Sequence, residues 1–218
     1  MFDKILSLVA PHYCSGCGNE GNILCDRCST ALPSLPPRCY RCHKLTGDSK
    51  TCKACRRTSR LFAVQARTAY DSLAKQTVWR LKFESARAGA RDMAREMLPL
   101  LPTRGVALVP VPTATNRIRE RGFDQTVLLC RELQRLSGLP VLPCLARLDQ
   151  SEQVGATRRQ RVKQLQGAYR VRHASLVRNR RLLLIDDVIT TGATLEACAL
   201  ALHEAGARRV EAVVFAQA

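Results

Sequence analysis

Four C-x2-C pairs crowd one end of the chain: Cys14/Cys17, Cys25/Cys28, Cys39/Cys42 and Cys52/Cys55. Such a turn brings two thiolates within reach of one metal ion, and two turns complete a tetrahedral all-thiolate zinc site. Eight ligands make two sites. Sequential pairing, 14/17 with 25/28 and 39/42 with 52/55, is the preferred reading, and interleaving stays open. A site filled by four cysteines keeps no position for substrate, so both read as structural. His43, beside Cys42, is surplus to a full cysteine set and reads as a surface residue. A second pattern is Leu182 to Thr194, LLLIDDVITTGAT. Leu182 to Ile185 form an apolar strand with Asp186 and Asp187 at its carboxyl end, where open α/β sheets place ligands. Thr190, Thr191, Gly192, Ala193 and Thr194 then turn into a helix beginning near Leu195. Backbone N–H groups and the helix N-terminus make that turn an anion site. Gly192 lets the backbone approach closely, and three threonine hydroxyls add donors. The paired acids would repel a phosphate unless they face hydroxyls or a Mg2+ ion. A ribose 5-phosphate satisfies both ends at once.

The elements that must hold these groups follow from the apolar pattern. Before residue 60 the chain is rich in Cys, Pro, Gly and Arg; after it, long apolar-patterned segments begin. This divides the chain into a cysteine-rich module, 1–60, and an α/β domain, 61–218. Strands are expected within 61–70, 106–111, 141–148, 167–171, 181–185 and the last nine residues. Helices are expected over 71–83, through ARDMAREMLPLL, over 123–136 and over 195–205, with Gly206 as a C-cap. A polar loop is expected ahead of Phe123. Alternating helices and continuous apolar strands imply a parallel sheet covered on both faces.

Thirty-five Lys and Arg against 18 Asp and Glu give a formal charge of +17, which two zinc-tetrathiolate sites reduce without reversing. That excess favours polyanions, nucleic acid or a phosphorylated small molecule, and says nothing of fold. Arg27, Arg38, Arg41, Lys44, Lys53, Arg56 and Arg57 surround the cysteine pairs. The opening MFDKILSLVAPHYC, broken by Asp3 and Lys4, is no secretory signal, and no run approaches the ~20 apolar residues of a spanning helix. Paired cysteines without an export route mean metal rather than disulfides. The remaining three, Cys130, Cys144 and Cys198, read as buried small apolar residues. A cytoplasmic location is expected.

The run of apolar strand, two acids and T-T-G-x-T resembles the signature of type I phosphoribosyltransferases for 5-phosphoribosyl 1-pyrophosphate (PRPP). Other segments resemble the ComF-type family: VALVPVPTATNRIRERGFDQ its P-V-P strand and R-G-F-N-Q helix start, AYDSLAKQTVWRLKF its helix ending in L-K-F or L-K-Y, and SEQVGATRRQRVKQLQGAYRV its Q-x-G-L-s-x-x-x-R-x-x-N-x-x-G-A-F stretch. The resemblance covers essentially the whole chain, in order. It implies a type I phosphoribosyltransferase-like parallel sheet flanked by helices, preceded by a small double zinc-ribbon module. Asp186 and Asp187 would contact the ribose hydroxyls or their Mg2+, and Thr190 to Thr194 the 5-phosphate. Lys82, Arg117 and Arg121 become candidates for the pyrophosphate. Residues Asp149 to Gln166 would close over PRPP, bringing Arg161 to the leaving group. The chain departs from the family pattern at Asp124 (Asn), Ala156 (Leu), Gln164 (Asn) and Tyr169 (Phe). Asp124 sets an added carboxylate near the pyrophosphate site, where it either weakens binding or pairs with Arg121.

The resemblance implies phosphoribosyl transfer with pyrophosphate release, in a protein linked to competence, DNA uptake or use of external DNA. The alternative is a non-catalytic adaptor that holds single-stranded DNA during import, with the PRPP site as a sensor. It would work with import or helicase proteins, peripherally at the inner face of the membrane.

Overall fold

The computed structural model describes residues 11–84, 86–148 and 167–218. The opening ten residues and the expected closing stretch, Asp149 to Gln166 with Ala156, Arg161 and Gln164, lie outside the described residues.

Four strands form one parallel sheet in the order β1-β6-β5-β2: β1 (Val64–Ala69), β2 (Ala107–Pro110), β5 (Arg181–Ile189) and β6 (Arg209–Gln217). Successive side chains of a strand point to opposite faces, and here both faces are buried. Leu182, Leu184, Val210, Ala212 and Val214 pack with helix α7 (Ala193–Glu204), while Leu183, Ile185, Val213 and Phe215 pack on the other side. That second side is covered by α3 (Ser72–Phe83), α4 (Ala86–Met97) and α6 (Gln125–Ser137). Each flanking helix offers an i, i+3, i+4, i+7 stripe: Ala74, Thr77, Val78 and Leu81 on α3, and Ala90, Met93, Ala94 and Met97 on α4. Asp71 caps α3 by accepting from the Ala74 N–H, and Gly138, left-handed at φ 72°, ends α6. The expected two-faced parallel sheet is what these residues build.

Three local expectations are corrected. β5 does not stop at Ile185: its pairing with β6 runs on to Ile189 opposite Gln217, so the two acids lie inside a paired strand. The stretch before Phe123 is no simple loop, since Thr115–Arg121 form a helix, α5, closed by left-handed Gly122. Residues 141–148 do not add one strand to the main sheet. Val141 makes a single parallel bridge to Leu108, and then β3 (Leu145–Arg147) leaves to pair antiparallel with β4 (Tyr169–Val171) in a separate ribbon.

The cysteine-rich segment, with its short helices α1 (Asp26–Thr30) and α2 (Lys53–Arg56), lies along the β1 edge. Antiparallel bridges join Ser34 to Thr68 and Lys50 to Ala63. Covering a sheet edge in this way blunts its tendency to pair with other chains. Leu24 and Leu32 are buried among the residues of α3, α4 and α6, whereas Tyr40 belongs to the cluster on the α7 side. Among the described residues no helix is long and apolar enough to cross a membrane.

Candidate phosphate site and metal centres

The cysteines fall into two groups, Cys14/17/25/28 and Cys39/42/52/55, each with its four sulfurs within 4.8 Å of one another. Pairing is therefore sequential. Knuckle geometry explains it. The Gly18 N–H donates to the Cys14 carbonyl (2.9 Å) and the His43 N–H to the Cys39 carbonyl (2.8 Å), each closing a tight turn with a left-handed residue. His43 thus does at the second turn what glycine does at the first, and it stands outside the sulfur group. In both clusters the leading thiol is drawn down to about 6. Burial opposes ionisation there, but backbone N–H groups from Cys25, Cys17 and Gly16 outweigh it at Cys14, and those of Cys52, Cys42 and Arg41 do so at Cys39. The last thiols are pushed the other way, to about 12: Cys28 by burial and by the neighbouring sulfurs, Cys55 by its bond to Cys52 and by burial. Four thiols so arranged resist ionising together unless a dication joins them. The donor set and spacing are compatible with structural zinc.

An acid fastens each cluster to the α/β domain, buried at Asp92 and half-buried at Glu196. Asp92 on α4 accepts the Ile23 N–H (2.7 Å) and the Leu24 N–H (3.1 Å). Glu196, in the first turn of α7, accepts the Tyr40 hydroxyl and the Arg60 N–H (2.8 Å). The Tyr40 hydroxyl also meets Ser59 Oγ at 2.9 Å.

The acids of β5 sit where the sheet opens. β2 pairs with β5 only as far as Pro110 opposite Ile185, and the Val111 N–H makes a last bond to the Ile185 carbonyl (3.1 Å). Beyond that point the ladder to β2 ends while that to β6 runs on to Ile189, so Asp186 and Asp187 lie just past the last β2 pair. Burial, followed by the charge of Asp187, raises the Asp186 carboxyl well above its ordinary value. Asp187 is buried and ion-paired with the ammonium of Lys82, from the last turn of α3. Thr190 and Thr191 are exposed beyond the strand, and Gly192 is the left-handed N-cap of α7 at φ 77°. Ala193 and Thr194 are half-buried in its first turn.

Lys82 and Arg121 line one cavity of about 240 Å3 with Phe83, Glu84, Glu120 and Phe123. The Arg121 guanidinium lies 5.0 Å from the Phe83 ring centre and donates to Gln125 Oε1 at 3.2 Å. Arg117 is exposed on α5 and does not line that cavity. Asp124 is the N-cap of α6: it accepts from the Thr126 N–H (3.0 Å) and the Thr113 and Thr126 hydroxyls (3.0 and 2.8 Å). Its lone pairs go to the backbone turn, and the expected partner Arg121 goes to Gln125. Tyr169 is buried in β4, and burial pushes its hydroxyl up to about 12. Cys130, Cys144 and Cys198 are buried, as read from the sequence. Tyr40, Ser59 and Glu196 were not expected here. The available signals were an aromatic inside a C-x2-C pair and an acid in the first turn of a helix.

The donor chemistry at β5 is two hard carboxylates beside a lysine, next to a glycine-capped helix N-terminus. Carboxylates and substrate phosphate oxygens suit Mg2+, and the turn suits a phosphate.

A phosphoribosyl transferase domain profile matches residues 131–218, which include β5, the acid pair and the glycine turn. The chain is 29% identical over 195 residues to the competence protein ComFC of Bacillus subtilis (strain 168), covering 84% of this chain and 79% of that one. It is 32% identical over 205 residues to the DNA utilization protein YhgH of Salmonella typhimurium, covering 86% and 81%. Among solved structures, a glutamine PRPP amidotransferase of B. subtilis aligns with 57% of this chain and 26% of its own, at 19% identity and a TM-score of 0.40. The YhgH relative of Salmonella typhi is 30% identical with 87% of its length covered, and on that extent of similarity the chain belongs to the ComF-type family of phosphoribosyltransferase-domain proteins.

Proposed function

We propose that the chain binds PRPP with Mg2+ just past the last pair of β2 with β5 and transfers its phosphoribosyl group, in a cytoplasmic role linked to competence or the use of external DNA. The observation that carries this reading is the acid pair, placed where β2 leaves β5 and one turn before the glycine-capped start of α7. The backbone of Thr190 to Thr194 cradles the 5-phosphate. Asp186 and Asp187 would accept from the ribose hydroxyls or hold Mg2+, which when bound would offset charge on the pyrophosphate oxygens. Lys82 and Arg121 face the leaving group across their shared cavity. Arg117 and Arg161 are further pyrophosphate candidates. In the reaction the C1–O bond to pyrophosphate breaks, its electron pair leaves with pyrophosphate, and a lone pair of the acceptor closes on C1. Catalysis then rests on fixed charge around the leaving group. The test is pyrophosphate release from PRPP over a panel of ammonia and base acceptors. Release lost in Asp186→Asn/Asp187→Asn supports transfer, and release that persists in that variant excludes this site.

A second reading, a single-stranded DNA adaptor, is favoured by a groove of about 630 Å3 on the second cysteine cluster. Lys44, Lys53 and Arg57 line it beside the exposed Leu45. In this reading the two zinc ribbons present the groove to the strand at the inner membrane face, and import or helicase proteins deliver it.

A further inference from the structure

The second cysteine cluster touches the phosphate turn directly. Tyr40 lies between the ligand positions Cys39 and Cys42, and its ring covers Gly192 so closely that a Cβ there would come 2.7 Å from Tyr40 Cε2. Its hydroxyl bonds Glu196 one turn into α7 and Ser59 on the returning chain. The same Glu196 holds the Arg60 N–H, and His203 Nε2 meets the Arg60 carbonyl at 2.9 Å. Ring, hydroxyl and the 59–60 strap all bear on α7, whose N-terminal N–H groups would receive the phosphate. Tyr40 is 3% exposed, so it is not available as a ligand contact itself. The turn that aims its ring is the C-x2-C knuckle, and four-thiolate metal binding fixes such a knuckle.

From this we infer that Tyr40 is a positioning residue: it holds the Gly192 turn in its ligand-binding shape, and so couples PRPP affinity to metal occupancy of the Cys39/42/52/55 site. The inference rests on the PRPP reading above. Coupling of this kind is reciprocal, since what the metal does for PRPP affinity PRPP must do for metal retention. The first cluster is anchored instead through Asp92 of α4, on the other face of the sheet, and serves as the internal control.

The experiment uses the full-length, zinc-loaded protein. Calorimetric titration with PRPP and Mg2+ is paired with zinc release to a chromogenic chelator, with and without PRPP. Tyr40→Ala should weaken PRPP about tenfold, within the usual range of coupling between sites, with both zinc ions still bound. Tyr40→Phe keeps the ring on Gly192 and should stay within about threefold of wild type, since only the hydroxyl's bonds to Glu196 and Ser59 are lost. Saturating PRPP should slow one of two zinc-release phases in wild type and Tyr40→Phe, and neither in Tyr40→Ala. If Tyr40→Ala does not fold, Tyr40→Leu carries the same test, because it removes the ring from Gly192 while keeping apolar bulk and every cysteine in place. Unchanged PRPP affinity in a folded, zinc-replete Tyr40→Ala or Tyr40→Leu protein overturns the coupling alone. Failure of wild type to bind PRPP overturns the PRPP reading, and the coupling falls with it.

Discussion

Asp186 is half-buried with a second carboxylate next to it, and lost solvation and that neighbouring charge both favour its protonated form. In the unfolded chain the same group ionises near the ordinary carboxylate value of about 4. Above that pH the folded form binds more protons than the unfolded one, so stability is greatest below it and falls as pH rises through the raised folded value. Asparagine, of similar shape and uncharged, removes that penalty. Asp186→Asn, without Mg2+ or PRPP, should melt higher than wild type at pH 7 by about 2 °C or more, the shift that ~1 kcal/mol produces in a chain of this length. The gain should shrink towards pH 4. Thermal melts at the two pH values check this, and a lower melting point at pH 7 contradicts it. Binding groups commonly cost stability in this way. The acids, the glycine turn and Lys82 were legible in the sequence because local spacing or a family motif exposes them. Tyr40 was not, since its partner Glu196 stands 156 positions away and no local pattern links the two. Asp124 is the reverse case: its cap on α6 is a local contact, but a carboxylate beside a phosphate-binding motif reads first as charge.

The flanking helices were readable because burial of one stripe repeats every three to four residues, and glycine marks their ends. Strand limits were less so. The apolar run is broken by Asp186 and Asp187, but the ladder to β6 continues through them to Ile189 because backbone pairing does not need apolar side chains. The helix α5 was missed because most of its residues are polar or charged and none is buried. Between elements, the most consequential unforeseen contact is Asp92, which binds two backbone N–H groups of the first cysteine cluster to α4. Burial raises its carboxyl against the pull of those donors and of Arg95. Asp92→Ala leaves both N–H groups buried and unpaired, and should cost about 2–6 kcal/mol, at ~1–3 kcal/mol for each unsatisfied group. Asp92→Asn keeps an acceptor and should cost far less. Urea denaturation separates the two, with faster zinc loss from the first cluster as a second readout. Equal midpoints for wild type and Asp92→Ala would show that the anchor contributes nothing.

Over the whole molecule, charge is the feature most plainly legible in the composition, and the placement of that charge the least. The sequence puts basic residues throughout, while the structure gathers Lys44, Lys53 and Arg57 on one groove and Lys82 with Arg121 on another cavity. Single-stranded DNA held by the first of these should bind mainly through phosphates. Engagement of about three phosphates predicts roughly 20-fold weaker binding at 200 mM than at 50 mM salt. That binding should survive Asp186→Asn/Asp187→Asn and fail in Lys44→Glu/Lys53→Glu/Arg57→Glu, as fluorescence anisotropy with a labelled oligonucleotide would show. Salt-independent binding would exclude an electrostatic groove. The claim on which the rest stands is that PRPP binds just past the last pair of β2 with β5. Its most direct measurement is calorimetric titration of the zinc-loaded protein with PRPP and Mg2+, beside the Asp186→Asn/Asp187→Asn variant. Saturable one-to-one binding by wild type and none by a folded variant is the predicted result. Absence of binding by folded, zinc-replete wild type, or equal binding by the variant, would contradict it.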